Sequence, residues 1–145
     1  MGSLRYPISS PKYQPQDFAW DFAGLQPELI VSNLGTNDMS YVLEDADRRE
    51  EYIQGYVEFL KTIRSHNPKA KLMCVLGIMG TALCPAVEET VQRYVNETGD
   101  SNSTFMHFTD QLPEDGYAAD WHPTERTHTK AALRLTEGIQ KIMGW

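Results

Sequence analysis

The sequence predicts an α/β fold of three layers, flavodoxin-like, with a parallel sheet between helices. Three short apolar segments, at residues 28–34, 71–78 and 105–108, have the length of strands, and segments of helical periodicity separate them. This alternation is typical of parallel sheets, in which a helix returns the chain between strands. The second apolar segment has no polar residue in its middle, as expected for a strand that helices cover on both faces.

The segment at residues 45–66 is predicted to be the first long helix. Its apolar positions recur every three or four residues and form one buried face, namely Ile53, Tyr56, Val57, Leu60 and Ile63. Acidic residues at 44, 45 and 47 suit the positive end of the helix dipole. The Asn67-Pro68 pair ends the helix, because the residue before a proline disfavours helical backbone.

Two further helices complete the pattern. One starts at Pro85, a residue suited to the first turn, and ends at Gly99, with Val87, Val91, Tyr94 and Val95 on its inner face. The last helix covers residues 124–143 and buries Ala132, Leu135, Ile139 and either Ile142 or Met143. Residues 1–16 are predicted to be irregular and Pro-rich, residues 17–22 a short aromatic turn or helix, and residues 17–145 the folded domain.

Composition limits the partners and the chemistry. The 145 residues include 13 basic and 20 acidic side chains, a net charge of −7. Without a basic stripe, neither nucleic acid nor an anionic membrane is an expected partner, and no apolar run has the length of a membrane-spanning helix. Cys74 and Cys84 are interpreted as buried or half-buried thiols. No metal or cofactor motif is present, and the compartment stays open.

The first predicted strand leads directly into Gly35-Thr36-Asn37-Asp38. Ligands of open α/β sheets bind beyond the carboxyl ends of the strands, so this loop is a candidate site. The Asn37 amide is suited to donate to an oxyanion, and Gly35 allows a close approach of the backbone. The alternative is a polar turn that only closes the strand.

A second candidate motif precedes the last helix. Asp120-Trp121-His122-Pro123 places a histidine next to an acidic residue, and His122 is suited to act as a general base. Asp120 is suited to orient the imidazole. Trp121 has an aromatic face that can stack on a sugar ring, although packing in the core is an equal alternative.

The two motifs, in this order, resemble those of the SGNH or GDSL-type hydrolases, and in particular the acetyl esterases of carbohydrate esterase family two. The resemblance covers the chain from about residue 20 to its end. It implies an SGNH fold and a serine esterase that deacetylates xylan-like carbohydrate through a Ser–His dyad. The expected substrate is a small-molecule or polysaccharide acetyl ester. Most of the superfamily has an aspartate three residues before the histidine, where this chain has Ala119; in the acetyl esterase branch a backbone carbonyl orients the histidine instead.

Two expected blocks are absent. In that family a Gly-Asp-Ser block with the nucleophile and a separate Gly block both precede the Gly-x-Asn-Asp loop, and neither occurs before Gly35 here. Ser9 and Ser10 lie in a Pro-rich segment with no apolar strand before it, so neither is expected to be the nucleophile. We therefore expect the chain to be the C-terminal part of a catalytic domain whose first strands are missing. An N-terminal half or a second copy of the chain would then cover the exposed edge of the 28–34 strand. The alternative is a catalytically inactive or partner-dependent binding module.

A Gly-Asp-Ser triplet does occur later, at residues 99–101. It lies between a predicted helix and a predicted strand, and so at the opposite edge of the sheet from Asn37 and His122. We interpret Gly99 as a left-handed helix cap, with Asp100 and Ser101 in the following turn. Ser101 is therefore not expected to be the nucleophile.

Overall fold

The structure, a computed structural model, describes residues 22–42 and 44–145. The elements in chain order are β1 (Leu29–Asn33), α1 (Met39–Val42), α2 (Ala46–His66), β2 (Lys71–Leu76), α3 (Cys84–Thr98), β3 (Ser103–His107) and α4 (Glu125–Met143). The predicted irregular segment 1–16, with Ser9 and Ser10, lies outside the described residues, as does most of the predicted aromatic turn at 17–22.

The three strands form one parallel sheet in the order β1-β2-β3, which confirms the predicted fold class. Asn33 lies beside Val75, and Leu76 lies beside His107, so all three strands finish at the same edge. We call this the carboxyl edge of the sheet. No described residue pairs with the outer side of β1.

The strand bounds differ from the predicted ones by one residue at both ends of β1 and at the end of β3, and by two residues at two places. β2 ends at Leu76, two residues early, because Gly77 adopts a φ of 129° that turns the chain. β3 begins at Ser103, two residues before the predicted start, because Ser103 pairs with Leu72. Ser103 and Thr104 are polar, so the apolar segment used for the prediction began only at Phe105.

The larger core lies on one face of the sheet, under α2 and α3. The buried face of α2 contains the five predicted residues, and its N-cap Asp45 accepts hydrogen bonds from the amides of Asp47 and Arg48. Helix α3 has Pro85 in its first turn and a left-handed Gly99 at its end, as predicted. Its buried residues are Ala86, Val87, Thr90, Val91 and Tyr94.

Helix α4 covers the other face with a thinner layer. Leu135, Ile139 and Ile142 pack against Met73 and Val75 of β2, as predicted. The prediction for Ala132 was wrong: this residue is exposed, and Ala131 packs instead. Ala131 and Ala132 both lie at helical spacing from Leu135, so the apolar pattern alone did not distinguish them. Val31 and Leu133 remain 38% and 63% exposed.

The Gly-Asp-Ser turn before β3 has a structural role. The Asp100 carboxylate accepts hydrogen bonds from Arg64 Nε at 2.9 Å, Tyr94 Oη at 2.8 Å and the Asn102 amide at 3.0 Å. Burial acts to raise the pKa of Asp100, but the hydrogen bonds from Tyr94, Asn102 and Arg64 outweigh it, so the pKa lies below its usual value. The turn thus joins α2, α3 and β3.

Ser101 stands at the amino edge of the sheet, two residues before β3, whereas Asn37 follows β1 at the carboxyl edge. Five residues of parallel strand separate these edges, a distance of about 17 Å. This confirms the predicted placement of Ser101 away from the Asn37 loop.

Replacing Asp100 with Asn should destabilise the chain at neutral pH, because the hydrogen bonds to this carboxylate lose their charged acceptor. We expect the free energy of unfolding at pH 7, from urea titration, to fall by about 2 kcal/mol. Since the folded pKa lies below the unfolded value of about 3.9, the contribution is complete above that value and is lost as the pH falls through the folded pKa. The gap between the two proteins should therefore close in acid. Ser101→Ala is the matched control, expected to change stability by less than about 0.5 kcal/mol; a gap that persists at pH 2 would contradict the assignment.

Candidate active site

Helix α2 contacts the loop after β1 through Tyr52. Tyr52 Oη donates to the Leu34 carbonyl at 3.1 Å. Gly35 is buried with a φ of 135°, and a Cβ atom there would lie 2.9 Å from Tyr52 Oη and 3.1 Å from Leu76 Cδ1. Only glycine fits this position. Burial raises the pKa of Tyr52 far above its usual value, so its hydroxyl remains a neutral donor.

The side chain of Asn37 projects from the surface of this loop. The backbone carbonyl of Asn37 accepts a hydrogen bond from Ser40 Oγ at 2.9 Å, while the side-chain amide of Asn37 bonds to no described residue. The Asp38 carbonyl accepts from the amides of Tyr41 and Val42, which begins α1. The backbone of the loop is therefore held, and the Asn37 amide is available to a ligand.

His122 lies on the segment that connects β3 to α4. Its Nδ1 is 2.9 Å from the Ala119 carbonyl oxygen. A carbonyl only accepts, so this contact assigns the proton of the neutral ring to Nδ1 and leaves Nε2 as the acceptor. The imidazole is exposed. The Asp120 side chain makes no hydrogen bond to His122 in the described structure.

The backbone just before His122 is unusual. Asp120 and Trp121 have φ values of 52° and 61°, the left-handed region that favours glycine. The turn brings the His122 amide to 3.0 Å from the Ala119 carbonyl, which thus accepts from both the backbone and the ring of one residue. Trp121 is 71% exposed, and its ring lies 5.0 Å from that of Tyr117.

A buried carboxylate anchors this segment to the last helix. The Asp115 side chain is only 2% exposed; it accepts from Lys130 Nζ at 2.7 and 2.5 Å and pairs with Arg126 Nε at 2.9 Å. Thr124 Oγ1 donates to the Asp115 carbonyl at 2.9 Å. The sequence patterns did not predict this anchor. The signal for it is the pair Arg126 and Lys130, four residues apart in the first two turns of α4.

Contacts along the carboxyl edge connect the two candidate loops through the loop after β2. Asn33 Nδ2 donates to the Gly77 carbonyl at 3.3 Å. The Gln111 amide donates to the Ile78 carbonyl at 2.8 Å, and Gln111 Nε2 donates to the Trp121 carbonyl at 2.8 Å. The structure therefore places Gly35 and Asn37 after β1, and Asp120, Trp121 and His122 after β3, on loops of this one edge.

The two thiols are not activated. Burial raises the pKa of Cys74 to about 11, and burial also raises that of Cys84. Both cysteines are free. Within residues 22–42 and 44–145, no three His, Cys, Asp or Glu residues converge on a point where a metal ion would bind. In the same part of the chain, no helix has the length and apolar character needed to cross a membrane.

The three parallel strands with polar loops at their carboxyl edge match solved carbohydrate esterases of the SGNH class of hydrolases. The model of the GDSL-like lipase/acylhydrolase family matches residues 9–130. The chain belongs to this family.

Its relatives are carbohydrate esterases. The cellulase/esterase CelE of Acetivibrio thermocellus is 34% identical over 145 residues, which are 97% of this chain and 17% of that protein. An acetylxylan esterase/glucomannan deacetylase of Cellvibrio japonicus is 33% identical over 129 residues, 87% of this chain and 34% of that protein.

Solved structures of family two carbohydrate esterases have the same fold. The enzyme from Clostridium thermocellum, in complex with cellohexaose, superposes with a TM-score of 0.79 at 36% identity, over 90% of this chain and 41% of that one. The acetyl xylan esterase Est2A of Butyrivibrio proteoclasticus gives a TM-score of 0.81 at 25% identity, over 87% and 39%. The chain thus spans less than half the length of each of these relatives.

Removing the buried carboxylate should loosen the histidine segment. We expect Asp115→Ala to lower the free energy of unfolding by about 2 kcal/mol, because charged hydrogen bonds to Lys130 and Arg126 are lost. Amide hydrogen exchange over residues 113–124 should accelerate more than exchange in α2. Glu114→Ala, an exposed neighbour, is the control and should change neither quantity. Unchanged exchange in Asp115→Ala would show that the anchor is dispensable.

Proposed function

We propose that this chain carries the base and the oxyanion loop of a serine esterase that removes acetyl groups from xylan-like carbohydrate through a Ser–His dyad. The observation that carries the proposal is the contact between His122 Nδ1 and the Ala119 carbonyl. It leaves Nε2 as a proton acceptor, which is what a general base of acyl transfer needs.

In the proposed mechanism a serine Oγ attacks the acetyl carbonyl carbon while His122 Nε2 takes the hydroxyl proton. The carbonyl oxygen becomes an oxyanion, to which the Asn37 amide and the backbone near Gly35 donate. The bond to the sugar oxygen then breaks, and His122 returns the proton to that oxygen. Water hydrolyses the acetyl-serine by the same steps.

The serine of the dyad is proposed to come from polypeptide that pairs with the outer side of β1. Two observations support this. No Gly-Asp-Ser block precedes Gly35 in the sequence, and β1 has no strand partner on that side among the described residues. Val31 and Leu34, 38% and 41% exposed, would be covered by such a strand. Its source is either an N-terminal half or a second copy of the chain.

Substrate contact is proposed for Trp121. Its side chain is largely exposed and adjoins His122, so its face is available to a sugar ring. The same features also favour a second function: a catalytically inactive or partner-dependent module that still binds carbohydrate through Trp121 and Asn37. Esterase activity discriminates between the two.

A graft tests the esterase proposal. This chain replaces the corresponding 41% of the Clostridium thermocellum family two carbohydrate esterase, and acetate release from acetylated xylan is measured with p-nitrophenyl acetate hydrolysis alongside. We expect an active graft that loses about 10³-fold in kcat/KM with His122→Ala and about 10²-fold with Asn37→Ala.

His128→Ala is the matched control, because this exposed histidine lies on the first turn of α4, and it should retain activity. Cooperative thermal unfolding establishes that each graft is folded. A folded graft without activity would favour the binding module. Fluorophosphonate labelling of Ser101 in this chain alone would contradict the placement of the nucleophile.

Asp120→Asn in the same graft tests whether the Ala119 carbonyl alone orients His122 or whether Asp120 also contributes. If the Ala119 carbonyl alone orients His122, kcat should change by less than about threefold, because the removed charge makes no contact with the ring. If Asp120 assists, the loss should approach that seen when a triad aspartate is removed, about 10⁴-fold. The carbonyl contact favours the first outcome.

A further inference from the structure

Gln111 lies between the loop after β2 and the segment that carries His122. Its backbone amide donates to the Ile78 carbonyl at 2.8 Å, and its side-chain Nε2 donates to the Trp121 carbonyl at 2.8 Å. One residue therefore ties the histidine segment to a loop that is continuous with the central strand of the sheet. The contact partner, Trp121, immediately precedes His122.

The carbonyl that Gln111 holds belongs to the left-handed pair Asp120 and Trp121. Non-glycine residues remain in this region only where the surrounding structure holds them there. The pair is what turns the chain back, so that the ring and the amide of His122 both reach the Ala119 carbonyl, at 2.9 and 3.0 Å. If the pair relaxed to extended backbone, the imidazole would move away from that carbonyl.

The orientation of the Gln111 amide is determined by its partner. The Trp121 carbonyl only accepts, so the nitrogen faces it, and Oε1 points inward. That oxygen is buried and has no hydrogen-bond partner among the described residues. Burying an unpaired acceptor is unfavourable, and an apolar side chain of equal length would avoid it. Packing alone is therefore a poor explanation for an amide at this position.

We propose that Gln111 is a positioning residue for the base of the esterase reaction. Through the Trp121 carbonyl it holds the left-handed turn that keeps His122 Nδ1 on Ala119, and so presents Nε2 to the substrate serine. The role in catalysis rests on the proposed function of His122. The effect on the geometry of the ring does not, and it can be measured in this chain without any activity.

The test uses the whole chain, labelled with ¹⁵N, and long-range ¹H–¹⁵N spectra of the histidine rings at a pH where His122 is neutral. In the unmodified chain we expect the Nδ1–H tautomer of His122 to predominate. Gln111→Met keeps the length of the side chain but removes the donor. It should lower the ratio of the Nδ1–H to the Nε2–H tautomer by about fivefold, the effect of losing one ordinary hydrogen bond.

Stability distinguishes positioning from a merely structural role. Gln111→Met also removes the buried unpaired oxygen, so its free energy of unfolding should stay equal or rise while the tautomer ratio falls. Gln111→Glu is the second variant: it has the same shape, but at neutral pH it carries only acceptors toward Trp121, and it should lower the ratio as well.

The matched control is Thr81→Val, which removes the neighbouring hydrogen bond from Thr81 Oγ1 to Asp110 Oδ2, 3.0 Å long, in the same group of loops. It should leave the ratio unchanged. The proposal is overturned if Gln111→Met and Gln111→Glu leave the ratio of His122 unaltered, or if Thr81→Val shifts it equally. If the graft is active but the tautomer ratio does not depend on Gln111, only the positioning role of Gln111 is rejected. If the graft is inactive but the ratio does depend on Gln111, only the esterase function is rejected.

Discussion

The architecture depends on the burial of one strand. Leu72, Met73, Cys74, Val75 and Leu76 of β2 are each at most 2% exposed. Burying each large aliphatic side chain contributes about 2 kcal/mol, and because successive side chains point to opposite faces, the strand requires cover on both. Helices α2 and α3 cover one face and α4 the other. The strand covered in this way, β2, is central and parallel to β1 and β3. The loops that follow all three strands therefore lie at one edge of the sheet.

The two faces of the sheet are covered unequally. The core under α2 and α3 is closed, with Ile53, Val87 and Tyr94 fully buried. On the α4 face Val31 is 38% exposed, and β1 has no partner on its outer side within the described residues. The relatives are more than twice as long as this chain. The proposed source of the nucleophile would pair with this outer side of β1.

The polar groups of the candidate site are held mainly by backbone carbonyls. Ala119 accepts from the His122 ring, Trp121 accepts from Gln111, and Leu34 accepts from Tyr52. Carbonyls are fixed by the fold and do not titrate, so they orient an imidazole without adding a charge beside it. The charged anchor, Asp115, lies on the far side of the segment and contacts α4. Charge therefore stabilises the loop, and neutral hydrogen bonds set the orientation of the His122 ring.

The sequence by itself determined the fold class, the alternation of strands and helices, the buried face of α2 and the structural nature of the 99–101 turn. These follow from periodicity and from local backbone preferences, which act within a few residues. Only the tertiary structure decided that Ala131 packs in place of Ala132, that Ala119 contacts His122, and that Gln111, Tyr52 and Asp115 support the two loops. Each of these depends on contacts between segments far apart in the chain or on the backbone conformation of a turn. A local pattern such as the spacing of Arg126 and Lys130 indicates a basic helix face, but the position of its partner Asp115 is decided by the fold.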